Sequence, residues 1–412
     1  MVTLPATLAS TWVLHRAFTR SSPSSSHNRN TGTEALRLLQ PLPVARIVVV
    51  GAGILGTMHA HRAVAAGHEV VHLDRDAEAR TASVRNFGLC WVSGRRPGAE
   101  LELALRAREL WEQVGHEVPG VGFRPDGSMT VVQHPAELAV LEQVVARDDA
   151  EARGFELLDP AGVRRVNPAL RGEVLAGLHC RTDAVVEPRH ALPAIRAALA
   201  TSGRYRFAGA RTVVGVDTGS VTDHTGERHS ADRVILCTGA EAQGPLGALL
   251  EGAPLRRVRL QMCQTEPLGE RLTTSLADGD SLRYYPCFDV PALASLPPQP
   301  DVPARYRMQL LVSQRATGAL TIGDTHEYDE PFAFDLDEAP YEHLRERLAS
   351  ILGRPVPPVV RRWAGVYSQC TDGAICHRAE PLPGVVVVTG PGGRGMTLSP
   401  AIAEQTFALH PI

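Results

Sequence analysis

Hydrophobic and polar positions alternate in blocks from residue 46 onward, in the manner of an α/β protein. RIVVV (46–50) is a continuous apolar run of strand length, and VVHLD (70–74) is a second one that ends in an acid. Between them lie a glycine-rich turn and a segment with apolar positions at helical spacing. The pattern predicts a strand, a helix and a second strand in one βαβ unit.

The rest of the chain mixes helical and strand-like patterns. Residues 254–335 alternate as antiparallel strands do, around a proline-rich loop at 291–304. Near the C-terminus, VVVVTGPGGRGMTLSPAIAEQ again has the order strand, glycine turn, helix. The other predicted helices cover residues 100–114, 135–153, 190–200 and 341–352, and the other predicted strands cover residues 129–133, 211–217 and 231–239.

Composition narrows the function classes. Among 412 residues, 42 basic and 45 acidic side chains leave a net charge of −3, without the basic excess that a nucleic-acid partner requires. All the basic residues are arginine, so lysine Schiff-base chemistry is excluded. The seven cysteines form no C-x-x-C pair, which favours a reducing, cytoplasmic setting. No apolar run reaches the roughly 20 residues of a membrane helix, so we expect a soluble protein without an integral membrane segment.

The first 44 residues differ from the rest in composition. They are rich in Ser, Thr and Arg, contain SSPSSS at 21–26, and have their first acid at Glu34. A transit peptide, a disordered tail and a start codon set too far upstream all fit this composition. We favour a disordered tail over residues 1–44 that the function does not need.

The first glycine turn, VVVGAGILG, has the spacing of a dinucleotide-binding unit. Gly51 permits the tight turn, Gly53 lets the backbone approach a pyrophosphate, and Gly56 lets the helix pack against the strand. Asp74 follows 23 positions after Gly51, where a carboxylate binds ribose hydroxyls and disfavours NADP. A plain structural turn is the alternative, and this unit alone does not distinguish FAD from NAD.

The second glycine turn, TGPGGRGMTLSP (389–400), favours a flavin. It directs another helix N-terminus at an anionic group, and the reduced isoalloxazine ring is such a group. A nicotinamide dehydrogenase would instead complete its sheet with further βαβ units. A glycine-rich helix cap is the structural alternative.

From residue 45 to 410 the chain resembles the superfamily of D-amino-acid oxidase, glycine oxidase and sarcosine oxidase. Within it, the chain looks most like a bacterial clade proposed to act on aminophosphonates. The matching segments are the VVVGAGILG…HLD unit, ASVRNFG (82–88), DAVVEPRHAL (183–192), DRVILCTGAEA (232–242), LTIGDTHEY (320–328), WAGVYSQCTDG (363–373) and GPGGRGMTLSP.

The resemblance implies an α/β fold, α+β overall. A Rossmann-like FAD-binding domain of discontinuous segments (45–95, 181–245 and 362–412) would carry an inserted substrate domain with a mixed or antiparallel sheet (96–180 and 246–361). By motif position, the implied FAD contacts for the ADP half are Gly51, Ala52, Gly53, Ile54, Leu55, Gly56, Asp74 and Arg75, with Val214 at the adenine. The implied contacts along the ribityl chain and the flavin are Ser83, Asn86 and Gly88, and those near the pyrophosphate are Thr238 and Gly239. At the flavin ring they are Gly392, Gly393, Arg394, Gly395 and Met396. For Ser83 and Asn86, an ordinary polar loop is the alternative.

Two departures from the sarcosine oxidase branch bear on the chemistry. Gly365 stands where that branch has the cysteine that carries a covalent flavin, so we expect non-covalent FAD, with Cys370 interpreted as a buried thiol. That branch also uses a lysine near the flavin to promote reaction with oxygen, and this chain has no lysine. The electron acceptor, O2 or another compound, therefore stays open. The usual anion-binding residues do not transfer either, since Thr397 falls where sarcosine oxidases have a lysine.

Flavin-dependent amine oxidation needs positioning more than acid–base groups. The resemblance implies hydride transfer from the carbon that bears the amine to flavin N5, followed by imine hydrolysis, with a small amine, amino acid or aminophosphonate as substrate. No metal site is predicted, because Cys376 and His377 lack partners at zinc-ligand spacing. An NAD-linked dehydrogenase and a non-catalytic flavoprotein are the competing hypotheses. Candidates to anchor an anionic substrate group are Arg85, Arg259, Gln261, Arg283, Tyr284, Tyr285, His326, Tyr328, Tyr367 and Arg394.

Overall fold

The computed structural model describes residues 44–240 and 244–411, so the predicted N-terminal tail lies outside the described residues except for Val44. The strands are β1 (Arg46–Val50), β2 (Glu69–Leu73), β3 (Leu89–Cys90), β4 (Ser128–Val132), β5 (Phe155–Leu158), β6 (Ala176–Cys180), β7 (Ala184–Val185), β8 (Tyr205–Ala208), β9 (Val213–Asp217), β10 (Ser220–Asp223), β11 (Arg228–Ser230), β12 (Arg233–Leu236), β13 (Leu255–Pro267), β14 (Ser275–Ala277), β15 (Leu311–Gln314), β16 (Ala319–Gly323), β17 (Val359–Cys370), β18 (His377–Leu382) and β19 (Val385–Thr389). The helices are α1 (Ile54–Ala65), α2 (Ala99–Glu117), α3 (Pro135–Val145), α4 (Pro160–Val166), α5 (Pro188–Ala200), α6 (Ser281–Tyr284), α7 (Asp301–Tyr306), α8 (Glu338–Leu352) and α9 (Gly395–Leu409).

Two large sheets organise the molecule. The first has the order β18-β19-β12-β1-β2-β8 and is parallel except for β18, which is antiparallel to β19. The second has the order β17-β13-β16-β15-β14-β4-β6-β5 and is antiparallel except where β14 pairs with β4. The predicted α/β fold, with a Rossmann-like sheet and a mainly antiparallel one, is confirmed.

The parallel sheet is assembled from distant parts of the chain. Its central strands β1, β12 and β19 start at residues 46, 233 and 385. All three are apolar on both faces and buried, as the central strands of a parallel sheet must be. Helices α1, α2, α5 and α9 cover one face, and the small sheet β9–β11 with the 3-10 turns before β13 covers the other. The C-terminal ends of these strands therefore bring three separated turns to one edge of the sheet.

Helix α2 packs differently from our expectation. The predicted boundary at residue 96 assigns it to the substrate domain, but its buried face joins the core between the parallel sheet and helices α1 and α9. Trp111 on α2 donates a hydrogen bond of 2.8 Å from Nε1 to the carbonyl of Met396 at the start of α9. The apolar spacing predicts the helix but not the sheet that it covers.

Two predicted elements end or begin elsewhere. The helix predicted over 135–153 ends at Val145, and Asp149 beyond it accepts hydrogen bonds from Arg147 and Arg153 in a turn closed by Gly154 at φ +64°. The proline-rich stretch 291–304 is not only loop, because it contains a 3-10 turn and the start of α7. Proline is tolerated in the first turn of a helix, which explains both elements.

Among the described residues, no helix has the length and apolar character needed to cross a membrane.

Candidate active site

A cavity of about 1030 Å³ lies at the edge where the parallel strands end, and side chains of the antiparallel sheet line its other wall. Both glycine turns line it, so the first and last nucleotide motifs of the chain face one space. The predicted cofactor residues that line it are Gly51, Gly53, Ile54, Leu55, Asp74, Arg75, Ser83, Asn86, Thr238, Gly239, Gly392, Gly393, Arg394, Gly395 and Met396.

The first glycine turn is held in one conformation by close backbone contacts. Gly51 has φ +98°, and a Cβ there would lie 2.2 Å from the carbonyl oxygen of Cys237. A Cβ at Gly56 would lie 1.8 Å from the carbonyl oxygen of Gly51, so Gly56 packs the helix on the turn and does not line the cavity. Helix α1 begins at Ile54 and points its N-terminus at the cavity, an arrangement suited to a phosphate.

Ser83 caps this helix from a neighbouring loop. Its Oγ accepts a hydrogen bond of 2.9 Å from the backbone N–H of Ile54. Asn86 holds the same loop closed, because its Nδ2 donates to the carbonyls of Ala82 and Ser83 and its Oδ1 accepts from the N–H of Gly88. Gly88 itself does not line the cavity, since at φ +72° it lies against the carbonyl of Val186.

Asp74 is fixed by the backbone at the end of β2. Its Oδ2 accepts from the N–H of Ala52 at 2.5 Å, and its Oδ1 accepts from the N–H of Asp76 at 2.8 Å. Ala52 therefore orients the acid instead of lining the cavity. Partial burial raises the pKa of Asp74 above its usual value, and the backbone donors oppose that rise. The carboxylate is thereby presented to hydroxyl donors in the cavity.

The side chain of Val214, the residue predicted to contact the adenine, lies outside the lining of the cavity. Val214 is 44% exposed and does not line the cavity, because side chains alternate along β9 and this one points outward. Its neighbour Val213 is buried and lines the cavity together with Arg211 and Thr212. The predicted strand is present, and Val213 is its side chain that faces the cavity.

The second glycine turn meets the first one. Helix α9 begins at Gly395, and a Cβ on Gly395 would lie 4.0 Å from Cγ2 of Ile54. A Cβ on Gly393 would lie 3.6 Å from the hydroxyl of Tyr367 and 3.9 Å from that of Tyr284. This turn is therefore the junction between the nucleotide end of the cavity and its aromatic wall.

Aromatic side chains form the wall opposite the second turn. Tyr284 stacks on His326 with ring centroids 4.0 Å apart, and it meets Tyr285 edge to face at 5.0 Å. Burial raises the pKa of Tyr284, Tyr285 and Tyr367, so these phenols stay protonated and can donate hydrogen bonds. Burial lowers the pKa of His326 to about 4, so that its ring is neutral at pH 7. Tyr328 also lines the cavity.

Two predicted substrate anchors do not reach the cavity. Arg259 pairs through Nη1 with Oε2 of Glu327 at 2.9 Å, and Gln261 donates to Oε1 of the same carboxylate at 2.9 Å. Both donors are engaged inside the sheet. Arg85 and Arg283 line the cavity, but they donate to the carbonyls of Ala364 and Pro297 and their side chains are turned to solvent.

A buried ionic cluster in the wall is missing from our predictions. It consists of Arg95, Glu100 and Arg394, all three of which line the cavity. Glu100 lies between the two guanidinium groups, with Oε1 3.8 Å from Nη1 of Arg95 and Oε2 3.4 Å from Nη1 of Arg394. Only Arg394 was a candidate, because Arg95 and Glu100 stand in a loop and a helix start without a recognisable motif.

The two arginines of this cluster differ in how many of their N–H donors are already hydrogen-bonded. Arg394 also donates to the carbonyls of Pro391 and Ala374, which accounts for most of its donors. Arg95 is only 4% exposed and donates from Nε to the carbonyl of Trp91 at 2.7 Å. Its two terminal nitrogens make no hydrogen bond to another described residue, so they are available to an anion in the cavity.

Asp324 is a second residue that our predictions lack, although it belongs to the GDTHEY motif. It directly follows β16, is 4% exposed and lines the cavity. Gln309 Nε2 donates to its Oδ1 at 3.3 Å. Burial raises the pKa of Asp324 to about 8, which the hydrogen bond from Gln309 only partly opposes.

A cluster of metal-type side chains lies on the small sheet β9–β11, where the ligand atoms of Asp223, Glu227 and His229 are within 4.8 Å of one another. The buried Asp223 accepts hydrogen bonds from Thr225 and lies 3.1 Å from Nη1 of Arg211. The Thr225 hydrogen bonds hold the pKa of Asp223 well below its usual value. The carboxylate thus closes a hairpin turn and neutralises an arginine, and we assign the cluster a structural role.

The cavity has the features that FAD requires. Two helix N-termini face it, and Asp74 is placed for ribose hydroxyls. Thr238 Oγ1 and Trp91 Nε1 belong to cavity-lining residues, are buried, and find no hydrogen-bond partner among the described residues. A polar ligand in this space would satisfy such groups.

Comparisons with known proteins agree with this geometry. The family model described as FAD dependent oxidoreductase (DAO) matches residues 46–409. No curated protein matches the chain. The fold is similar to that of glycine oxidase from Bacillus cereus (18% identity, 89% of this chain and 94% of that one, TM-score 0.71). It is also similar to L-proline dehydrogenase from P. horikoshii (19%, 90% and 94%, TM-score 0.72) and to iminodiacetate oxidase from Chelativorans sp. BNC1 (18%, 87% and 93%, TM-score 0.68). The predicted FAD cofactor is confirmed, and the chain belongs to the DAO family of FAD-dependent oxidoreductases.

Proposed function

We propose that this oxidoreductase oxidises a small amine that carries an anionic group, such as an amino acid or an aminophosphonate, at the carbon that bears the nitrogen. The observation that carries the proposal is the buried Arg95–Glu100–Arg394 cluster in the wall of the FAD cavity. Its two cations and one anion leave a net positive charge that calls for an anionic partner.

Arg95 is the group best suited to bind that partner. A guanidinium presents parallel N–H donors that match two oxygens of a carboxylate or a phosphonate. Its Nε bond to the carbonyl of Trp91 and its contact with Glu100 hold the side chain in place, so little entropy is lost on binding. Trp91 Nε1 and the tyrosine hydroxyls lie in the same wall as further donors. Both kinds of anion fit this donor set.

The neighbours found by fold similarity support a C–N donor. Glycine oxidase, L-proline dehydrogenase and iminodiacetate oxidase are named for small compounds that carry an amine and a carboxylate. Bound FAD would accept the two electrons removed from the substrate, in the form of a hydride. The residues of this chain position the two partners, exclude water and hold the anionic end, and water then hydrolyses the imine.

We also propose that FAD is held without a covalent bond. Gly365 lines the cavity and has no side chain to offer, and its backbone lies against Arg85. Cys237 and Cys370 line the cavity as well. Burial raises the pKa of the Cys237 thiol, and it raises that of Cys370 to about 11, so neither is a thiolate at neutral pH.

The test is anaerobic bleaching of the bound flavin. We expect the purified protein to be yellow, to release FAD on denaturation, and to bleach with at least one member of a panel of glycine, sarcosine, D- and L-amino acids, 2-aminoethylphosphonate and its N-methyl and hydroxylated forms. Admission of air then distinguishes an oxidase, which regains colour, from a dehydrogenase. A colourless protein that binds NAD, or photoreduction without bleaching by any amine, would overturn the proposal.

A further inference from the structure

Asp324 is a buried carboxyl group without a cationic partner. It lies in the cavity wall, and its one side-chain hydrogen bond among the described residues comes from Gln309 Nε2. Its backbone N–H and carbonyl also pair with Gln309, at 2.9 and 3.3 Å, which fixes the side chain in place. The acids on the nucleotide side and in the ionic cluster have backbone or arginine partners, whereas Asp324 has none that carries a charge. A cationic ligand would supply what is missing.

None of the charged and titratable groups that the described residues bring near Asp324 is a cation paired with its carboxyl. Besides burial, its charge helps to raise the pKa of four phenols, those of Tyr284, Tyr285, Tyr328 and Tyr367, and all four are neutral at pH 7. His326 is neutral as well and directs Nδ1 at the carbonyl of Arg307, 3.1 Å away. The guanidinium groups of Arg256 and Arg307 stack on Tyr328 instead.

Tyr285 links Asp324 to the positive end of the cavity. Its hydroxyl accepts a hydrogen bond from Gln309 Nε2 at 3.3 Å, the same nitrogen that donates to Asp324. The guanidinium carbon of Arg95 lies 5.8 Å from the centre of the Tyr285 ring. The wall therefore presents a carboxyl and a guanidinium on either side of one tyrosine, an arrangement that suits a molecule with both an ammonium and an anionic group.

We propose that Asp324 binds the ammonium group of the substrate and accepts one proton from it, so that the amine is neutral when it is oxidised. In this step an N–H bond of the ammonium breaks and an O–H bond forms on the carboxylate, without any change in electron count. The electrons leave afterwards, in the oxidation by FAD, and solvent takes the proton from Asp324 once the product has gone. The inference rests on the proposed function and adds the residue that makes the zwitterionic form of the substrate usable.

The environment favours this transfer. Burying an ammonium–carboxylate pair away from water has the free-energy cost of desolvating two charges, whereas burying the neutral amine and carboxylic acid does not. Because burial already raises the pKa of Asp324 to about 8, the difference in pKa between this carboxyl and an amine is small. General bases tuned in this way contribute about 100-fold or more to a rate.

The decisive experiment compares the wild-type holoenzyme with Asp324→Asn, which keeps the shape and an acceptor for Gln309. With an amine that bleaches the wild-type flavin, we expect kcat/KM at pH 8 to fall by about 100-fold. In Asp324→Asn only the free amine reacts, so the lower inflection of kcat/KM against pH should move up to the pKa of the substrate amine. It should then shift between two substrates whose amines differ in pKa, while the wild-type inflection stays with Asp324. Asp329→Asn, an exposed carboxyl five positions further on, is the matched control.

The possible results distinguish a failure of the inference on Asp324 from a failure of the proposed function. A variant with wild-type kcat/KM and an unchanged inflection overturns the inference and leaves the proposed function intact, whereas a wild-type protein that no amine bleaches defeats the proposed function itself. If Asp324→Asn does not retain FAD, anion binding to the wild-type enzyme tests the inference instead. Acetate and ethanesulfonate have no ammonium and do not titrate between pH 7 and 9, so their binding, followed through the flavin spectrum, should weaken over that range as Asp324 ionises. Affinity of both anions that is independent of pH would contradict the inference.

Discussion

The two ends of the cavity differ in the chemical groups that line them, mainly backbone at one end and side chains at the other. At the nucleotide end, the contacts come from backbone N–H groups, glycines at the ends of β1 and β19, and one acid fixed by the N–H groups of Ala52 and Asp76. At the substrate end they come from side chains of loops and strands that the antiparallel sheet brings together, among them Arg95, Tyr285 and Asp324. In our proposal the first end holds FAD and the second end binds the substrate.

This difference predicts different consequences of mutation. Changes at the nucleotide end should affect the amount of bound FAD and leave the chemistry of loaded enzyme intact. Changes at the substrate end should leave FAD bound and alter turnover.

The largest expected effect is that of Gly51→Ala. The new Cβ would lie 2.2 Å from the backbone oxygen of Cys237, and alanine is strained at φ +98°, so this turn, which we expect to receive the pyrophosphate, must move. We expect the purified variant to lack FAD, measured as flavin absorbance per mole of protein.

The control for that variant is Gly226→Ala. Gly226 has a similar φ of +84°, but nothing lies within 4 Å of a Cβ there. It should bind FAD normally and lose only about 1 kcal/mol of stability through backbone strain. If both variants keep FAD, the tight turn at Gly51 is not what holds the cofactor.

The same contrast explains how far the sequence could be interpreted. Gly51, Gly53, Gly56 and Asp74 form a local pattern in which each residue type has one backbone reason, and their geometry is as expected. The sequence could not show whether Val213 or Val214 faces the cavity, because the face of an isolated strand depends on the sheet that it joins.

At the substrate end, no local signal separates an anchoring arginine from one with a structural partner. Arg259 and Arg95 are both buried, but Arg259 on β13 is neutralised by Glu327 from the segment after β16, whereas Arg95 keeps free donors. That distinction depends on pairings between segments far apart in the chain. Asp324 escaped notice for the same reason, since its lack of a cationic partner is a property of the folded wall.

The second prediction concerns Arg95→Met. Methionine keeps the apolar stem but removes the donors for the anionic end of the substrate, so we expect kcat/KM to fall by about 100-fold or more with flavin content unchanged. Arg283→Met is the comparison, because Arg283 lines the cavity but pairs with Asp280 and donates to the carbonyl of Pro297. It should lose less than about tenfold. The opposite ranking of the two arginines would move the anion site to Arg283.

The third prediction concerns Asp74→Asn. The amide retains one acceptor but loses the charge that strengthens hydrogen bonds from ribose hydroxyls, so FAD should bind about tenfold more weakly. At saturating FAD, kcat/KM for the amine should match the wild type. A loss of turnover that excess FAD does not restore would break the separation between the two ends of the cavity.

The smallest expected effect is on the stability of Asp324→Asn. The pKa of Asp324 is raised to about 8 in the folded protein, above the usual value of a carboxyl group in an unfolded chain. Its contribution to stability is therefore fully present below the unfolded pKa and is lost as pH rises to about 8, because a buried charge then has to be maintained. Asparagine carries no charge, so Tm of the variant should exceed that of the wild type by a few °C more at pH 9 than at pH 5.

Asp329→Asn should show no such pH-dependent difference. If the difference between Asp324→Asn and the wild type does not change with pH, Asp324 is not held unpaired in the wall. If the difference appears together with the loss of kcat/KM, the same burial that weakens the fold also prepares the carboxyl for an ammonium, as expected where a local rule of stability is broken at a functional site.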